Sequence, residues 1–288
     1  MSLLAAWLAQ DDVNGRELIE ESIRKAHQAN ELDKKDGYCW YALGRAYQCY
    51  FLQSGEWDLN SLQFASHAYE EANKDEERKI FYTDLIYQWA LVDTALENYE
   101  RALIGFTLSV QSNPALDGTK DMNMMIRLLD KLDMMLKLGT LSTIHELMKD
   151  AAKFDDPAIF QVSPSYEEVT MDLLFGGHNK GFAVLAKVLY PVNNEKVYPL
   201  YYVLCDTNLD CFVLTVHGIH AMAIQRGDVI ILLDPYYSLV NFEWQGKLYH
   251  FKSVRVNLPN QVLVNGEAVP NHFAIRQPLG RKPKAWGL

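Results

Sequence analysis

The chain changes its hydrophobic period partway along, and that change limits what it can fold into. Up to Asp150, apolar residues recur three and four positions apart against a background rich in Ala, Leu, Met, Glu and Lys, which is the pattern of amphipathic helices. Beyond Val169 short runs rich in β-branched and aromatic residues take over, at Tyr198–Asp206, Phe212–His217, Val229–Leu233 and Lys247–Val256, separated by Gly, Asn, Asp and Pro. With 288 residues, 49% of them hydrophobic, each half can build a core of its own. The expectation is an α+β multidomain chain.

Charge follows the same divide. Residues 1–179 carry 16 Lys/Arg against 30 Asp/Glu, and residues 180–288 carry 11 against 7. The net charge of −10 argues against non-specific nucleic-acid binding by the whole surface but leaves a local basic face open. Cys39, Cys49, Cys205 and Cys211 form no C-x-x-C pair and have no finger-like spacing to histidine, so they read as reduced, mostly buried thiols with neither a zinc site nor a disulfide framework. Met1 to Gln10 is short, lacks a basic flank and runs into Asp11 and Asp12, a poor secretory signal. No window reaches the ~18 consecutive apolar residues of a membrane span, so a soluble intracellular protein without membrane contact is expected.

The helical half contains a repeat. Trp40, Leu43, Gly44 and Tyr47 have the W-x2-L-G-x2-Y spacing of the first helix of a tetratricopeptide repeat, and Ala65, Tyr69 and Ala72 have the small-aromatic-small seam of the second. Small residues let two antiparallel helices approach, and the rings fill the space between pairs. The join between them is about nine residues longer than the repeat allows, and a loop through Gln53 to Asn60 with a Ser54-Gly55 turn is expected to absorb it. A second unit follows with Ala90, Tyr99, Ala102 and Phe106, ended by Asn113-Pro114. Glu17 to Asn30, with Ala29 in the seam, reads as the second helix of an earlier repeat, as though the solenoid were truncated. Asp121 to Leu138 reads as a capping helix whose Met122, Met124, Met125, Met134 and Met135 pack in the core. The domains expected are repeats plus cap over 1–138, a linker and lead-in segment over 139–168, a β module over 169–276 and a tail over 277–288, with Pro164 marking an extended stretch and a helix near Ile144 to Lys153.

The β module shows about six strands and one helical interruption at Gly218 to Gln225, then Arg226-Gly227-Asp228 before Val229. That order suits an OB-fold, with an SH3-like barrel as competitor. Gln245-Gly246 and Asn265-Gly266 are hairpin turns. OB-folds bind oligonucleotides by stacking and charge, which makes Lys187, Arg226, Trp244, Lys247, Tyr249, Lys252 and Arg255 the candidate nucleic-acid-binding residues, core filling being the alternative for the rings. Phe242 and Trp244 share one strand face, opposite Asn241 and Glu243.

Catalytic signatures are missing from the sequence. Gly118-Thr119-Lys120 is a fragment of a phosphate-binding loop in the wrong context, His217 and His220 lack the Glu and third ligand of a metallohydrolase, and there is no G-x-S-x-G elbow. No enzyme activity, cofactor or metal is expected. In a tetratricopeptide array the first helix of each pair lines the groove, and the inward positions are Tyr38, Tyr41 and Arg45 in one repeat and Asp84, Tyr87 and Leu91 in the next. A peptide carrying a basic residue would pair with Asp84 and rest its apolar side chain on Tyr41 or Tyr87, unless Asp84 only caps its helix.

Two tetratricopeptide units followed by an OB-like module resemble the tetratricopeptide repeat protein 5 family, also called Strap. The resemblance lies in Asp36-Gly37-x-x-Trp40-Tyr41-x-Leu43-Gly44, Tyr99-x-x-Ala102-Leu103-x-Gly105-Phe106, Leu128 to Leu132, and Phe251-x-Ser253-Val254-Arg255-Val256 with Val264-Asn265-Gly266. It implies a non-enzymatic adaptor of the cytoplasm and nucleus, joining transcription cofactors in the stress response, with the OB module aiding chromatin contact. It also implies a part in tubulin autoregulation, where the repeat groove receives the nascent tubulin N-terminus at the ribosome. Asp84 matches the family's groove acid. Elsewhere the chain departs from the family: Met1 to Asp12 holds no arginine, Asp117 beside Gly118 stands near the groove glutamate, and Thr140, Ser142 and Ile144 stand where the family has basic residues that touch ribosomal RNA. A general peptide-binding adaptor survives these departures better than tubulin surveillance does.

Overall fold

The computed structural model describes residues 15–54, 57–75, 82–150, 163, 165–195 and 199–275. Met1 to Asn14, Gly55 of the expected turn, Pro164, Tyr198, residues 151–162 of the expected linker and the 277–288 tail lie outside them. Among the described residues six helices precede a mixed β sheet. They are α1 (Gly15–Leu32), α2 (Gly37–Ser54), α3 (Leu59–Asn73), α4 (Tyr82–Ala95), α5 (Tyr99–Ser112) and α6 (Gly118–Asp150). The chain divides into two compact units with the boundary inside α6, after Ile126.

In the first unit the seam residues read from the repeat pack as antiparallel hairpins. Ala65, Tyr69 and Ala72 of α3 are fully buried, as are Ala102 and Phe106 of α5. Gly44 on α2 faces the Tyr69 ring with no room for a side chain: a Cβ there would lie 2.6 Å from Tyr69 Cδ1 and nearer still to Cε1. The Tyr69 hydroxyl then donates to Gln48 Oε1 of α2 at 2.8 Å, so its one polar atom is satisfied inside the core. On α1 the small residues Ser22 and Ala26 are fully buried, Ala26 packing with Leu43 and Ala68, whereas Ala29 is only partly buried. The register of the early helix is thus one turn from the one expected.

The extra residues of the first repeat go largely into helix rather than loop. Helix α2 has 18 residues where α4 has 14, and the connection closes on Trp57, buried against Phe51 with ring centroids 6.0 Å apart. Asp58 caps α3, its carboxylate accepting from Asn60 N at 3.0 Å. The cap helix is also longer than Asp121 to Leu138. It continues through Gly139 to Asp150, so the start of the expected linker is helical. Of its methionines Met125 is buried, while Met134 is 49% exposed and is not core.

The second unit holds β1 (Glu167–Val169), β2 (Gly177–His178), β3 (Phe182–Val192), β4 (Leu200–Asp206), β5 (Cys211–Val216), β6 (Val229–Leu233), β7 (Tyr236–Trp244), β8 (Lys247–Val256), β9 (Val262–Val264) and β10 (Glu267–Ala268). They form one sheet in the order β10-β9-β6-β3-β4-β5-β8-β7-β2, with β1 parallel to β3. Within it, β6-β3-β4-β5-β8 is the five-strand core of an OB-fold, in which β5 and β8 pair in parallel and a short 3-10 helix, Ala221–Ala223, separates the third strand from the fourth. Val184, Tyr202, Phe212, Ile230 and Val254 fill its interior. The other face of the central strands is buried too, at Val203, Val213 and Ile231. Both expected hairpin turns form: Gln245 and Gly246 sit at φ 50° and 80°, and Asn265 and Gly266 at 52° and 84°, the positive values a two-residue turn needs.

Candidate functional site: the repeat groove

Helices α2, α4 and the first turns of α6 are tied side by side by hydrogen bonds. The Tyr41 hydroxyl of α2 donates to Asp84 Oδ2 of α4, and one turn along α4 Gln88 Nε2 donates to Asp84 Oδ1 at 3.3 Å. The Tyr87 hydroxyl of α4 donates to Asp121 Oδ2 of α6 at 2.8 Å. Burial, and next the neighbouring carboxylate, hold both phenols above the usual tyrosine range, so each remains a donor.

The six expected groove residues differ in their surroundings. Tyr41 and Tyr87 are buried and hold the acids, Asp84 and Leu91 are half-buried, and Tyr38 is 47% exposed with its ring 6.2 Å from that of Tyr41. Arg45 is half-buried and donates from Nη1 to Gln48 Oε1 at 3.2 Å. Asp84 lies in the first turn of its helix, but the hydrogen bonds it accepts come from side chains. A carboxylate has about four acceptor positions. Among the described residues two of them on Asp84 are filled, which leaves room for a bidentate cation.

Sequence reasoning missed Asp121 as the acid that receives Tyr87. Its signal is visible in retrospect, since Asp121, like Asp84, stands in the first turn of its helix. Also missed was the brace behind the groove: buried Asp93 takes Arg101 Nε at 2.5 Å and Asn98 Nδ2 at 3.1 Å, while the guanidinium lies 5.2 Å over the Trp89 ring.

The seven residues considered for nucleic acid do not come together as one basic face. Lys247 Nζ lies 2.7 Å from Asp130 Oδ1 and 3.4 Å from Asp133 Oδ2, both on α6. Tyr249 is buried and donates to Asp130 Oδ1 at 2.7 Å, which pushes its hydroxyl up, burial being the larger cause. Lys252 Nζ pairs with Asp210 Oδ2 at 2.8 Å. Arg255 is buried, its guanidinium 4.3 Å over the Tyr236 ring. Trp244 and Lys187 are half-buried, and Arg226 is exposed, 5.0 Å over the Tyr190 ring. Trp244, Lys247 and Tyr249 cluster at one end of the β7–β8 hairpin, where Trp244 is opposite Lys247; Lys187 belongs to β3 and Arg226 to the turn before β6. No group of three or more His, Cys, Asp or Glu able to hold a metal ion occurs among the described residues, and no helix described is long and apolar enough to cross a membrane.

Residues 165–278 match the family model described as the tetratricopeptide repeat protein 5 OB fold domain. Along 86% of its length the chain is similar to tetratricopeptide repeat protein 5 of Homo sapiens, 28% identical over 262 residues, of Bos taurus, 27% over 264, and of Mus musculus, 26% over 269. It spans 59% of the length of each of these curated relatives. The resemblance carried by the sequence motifs is borne out in both halves of the chain.

Proposed function

Starting from the likeness to tetratricopeptide repeat protein 5, we propose that the chain is a non-enzymatic adaptor that holds a short peptide segment in the groove of α2, α4 and α6, with Asp84 receiving a basic side chain. The observation that carries this reading is the state of Asp84: fixed from below by Tyr41 and Gln88, and left with acceptor positions to spare. Tyr38, exposed beside Tyr41, supplies an apolar rest for the neighbouring peptide residue. Nascent tubulin and transcription cofactors, in cytoplasm or nucleus, are the partners that the family resemblance offers.

An array of short peptides, each with one Arg or Lys scanned along an otherwise neutral sequence, tests it. Retention of basic peptides by the full chain, lost with Glu at the same position, is the expected result; equal retention of both sets rejects the role given to Asp84. The β module supports the second reading, single-stranded nucleic-acid binding, less well, because Lys247 and Lys252 are paired with carboxylates and Tyr249 and Arg255 are buried.

A further inference from the structure

We propose that Cys205 and Cys211 form a redox site which closes to an intramolecular disulfide when the protein meets a peroxide. The two residues are direct partners across the antiparallel strands β4 and β5. Their separation follows from the turn that joins them. Leu209 N donates to Asp206 O and Asp206 N donates to Asp210 O, both at 3.1 Å, and Leu209 sits at φ 65°, which makes a type I turn followed by a left-handed bulge residue. Asp206 and Asp210 are thus the hydrogen-bonded pair that closes the ladder. Pairs alternate along such a ladder, so Cys205 and Cys211 form the non-hydrogen-bonded pair, with Cα atoms about 4.5 Å apart. A disulfide spans roughly 4.4 to 6.8 Å.

Both side chains stand on the same face of the ladder, and Cys205 Sγ donates to Asp206 O at 3.7 Å, at the base of the turn. The turn is held in this register by the Asp206 carboxylate, which accepts from Met171 N at 2.9 Å, Asn208 N at 3.0 Å and Asp210 N at 2.8 Å, and by the Lys252 ion pair to Asp210. The backbone spacing of the cysteine pair lies within the range a disulfide spans. Cys39 and Cys49, ten positions apart along α2, are about 15 Å apart and cannot pair.

Cys211, the more exposed of the two, reacts first. Its sulfur loses a proton and attacks one peroxide oxygen; the O–O bond breaks, a sulfenic acid forms, and the departing hydroxide takes a proton to become water. The Cys205 sulfur then displaces the sulfenic oxygen, the S–S bond forms, and a second water leaves with the Cys205 proton. Two thiols lose two electrons and one peroxide is reduced to two waters; a dithiol reductant reverses the reaction by exchange. The neighbouring Cys211 thiol, burial and the charges of Asp206 and Asp210 raise the Cys205 pKa and keep its thiol protonated, which gives it the second role.

The full chain is treated with hydrogen peroxide, denatured, alkylated with iodoacetamide and cut on the N-terminal side of aspartate, which separates the two cysteines. Two alkylated sites instead of four, with the Cys205 and Cys211 fragments joined until dithiothreitol is added, is the expected result. In Cys211→Ser no fragments are joined and Cys205 takes the label. Labelling of both Cys205 and Cys211 in the peroxide-treated wild-type chain, or a bridge between any other pair, overturns the proposal even if the variant fails to fold.

Discussion

Gly44 and the ring of Tyr69 meet so closely that neither α2 nor α3 has room for one more methyl group between them. Gly44→Ala adds helix propensity worth about 1 kcal/mol, yet forces the helices apart or the ring out of its place, at an overpacking cost of about 1–3 kcal/mol. Net destabilisation is expected in chemical denaturation, and it shrinks in the double variant Gly44→Ala/Tyr69→Leu, where the ring is gone. Additive effects of the two changes would show that they do not share this contact.

Gly246 is needed for the opposite reason. Nothing lies within 4 Å of where its Cβ would be, but its φ of 80° is a conformation that side chains resist. Gly246→Ala is expected to cost about 1 kcal/mol through the backbone alone, with no rescue from changes in neighbouring side chains. Thermal unfolding compared with the wild type measures it.

These two glycines also mark what the sequence made legible. Local rules identify Trp40 to Tyr47 as a repeat helix and Asn265-Gly266 as a turn, because the reason for each residue lies within a few positions of it. Strand β3 carries no alternation to read, since Ala183 to Ala186 are buried on both faces and look like any apolar run. Gly139 reads as a helix end, yet α6 passes through it. The ion pair of Lys247 with Asp130 joins residues 117 positions apart, a distance over which spacing carries no information, and it takes a cation out of the basic set expected to meet nucleic acid.

That pairing bears on the oligonucleotide reading. With Lys247 and Lys252 neutralised in place, the full chain is expected to show no salt-dependent retention of a 12-nucleotide single strand at low salt. Fluorescence anisotropy between about 20 and about 200 mM salt checks this, and a clear inverse salt slope would restore the basic face.

His217 follows β5 and is buried beside Arg255; burial first, and then that charge, lowers its pKa to about 3. The unfolded chain binds a proton on this ring below about 6.5, whereas the folded chain does not until near 3. The stability it permits is therefore complete above pH 6.5 and falls as pH drops through that window, at up to about 1.4 kcal/mol per pH unit. Denaturation midpoints at pH 7 and pH 5 are expected to differ by more in the wild-type chain than in His217→Gln.

The groove acid is the point on which the adaptor reading turns. Isothermal titration of the best-retained basic peptide against the wild-type chain and Asp84→Asn, a change that keeps shape and removes charge, measures it directly. At least a tenfold loss of affinity is expected, about 1.4 kcal/mol, with a weaker salt dependence and a small drop in melting temperature, since asparagine offers one oxygen to the two donors Tyr41 and Gln88. Equal affinity of the two proteins would contradict the account.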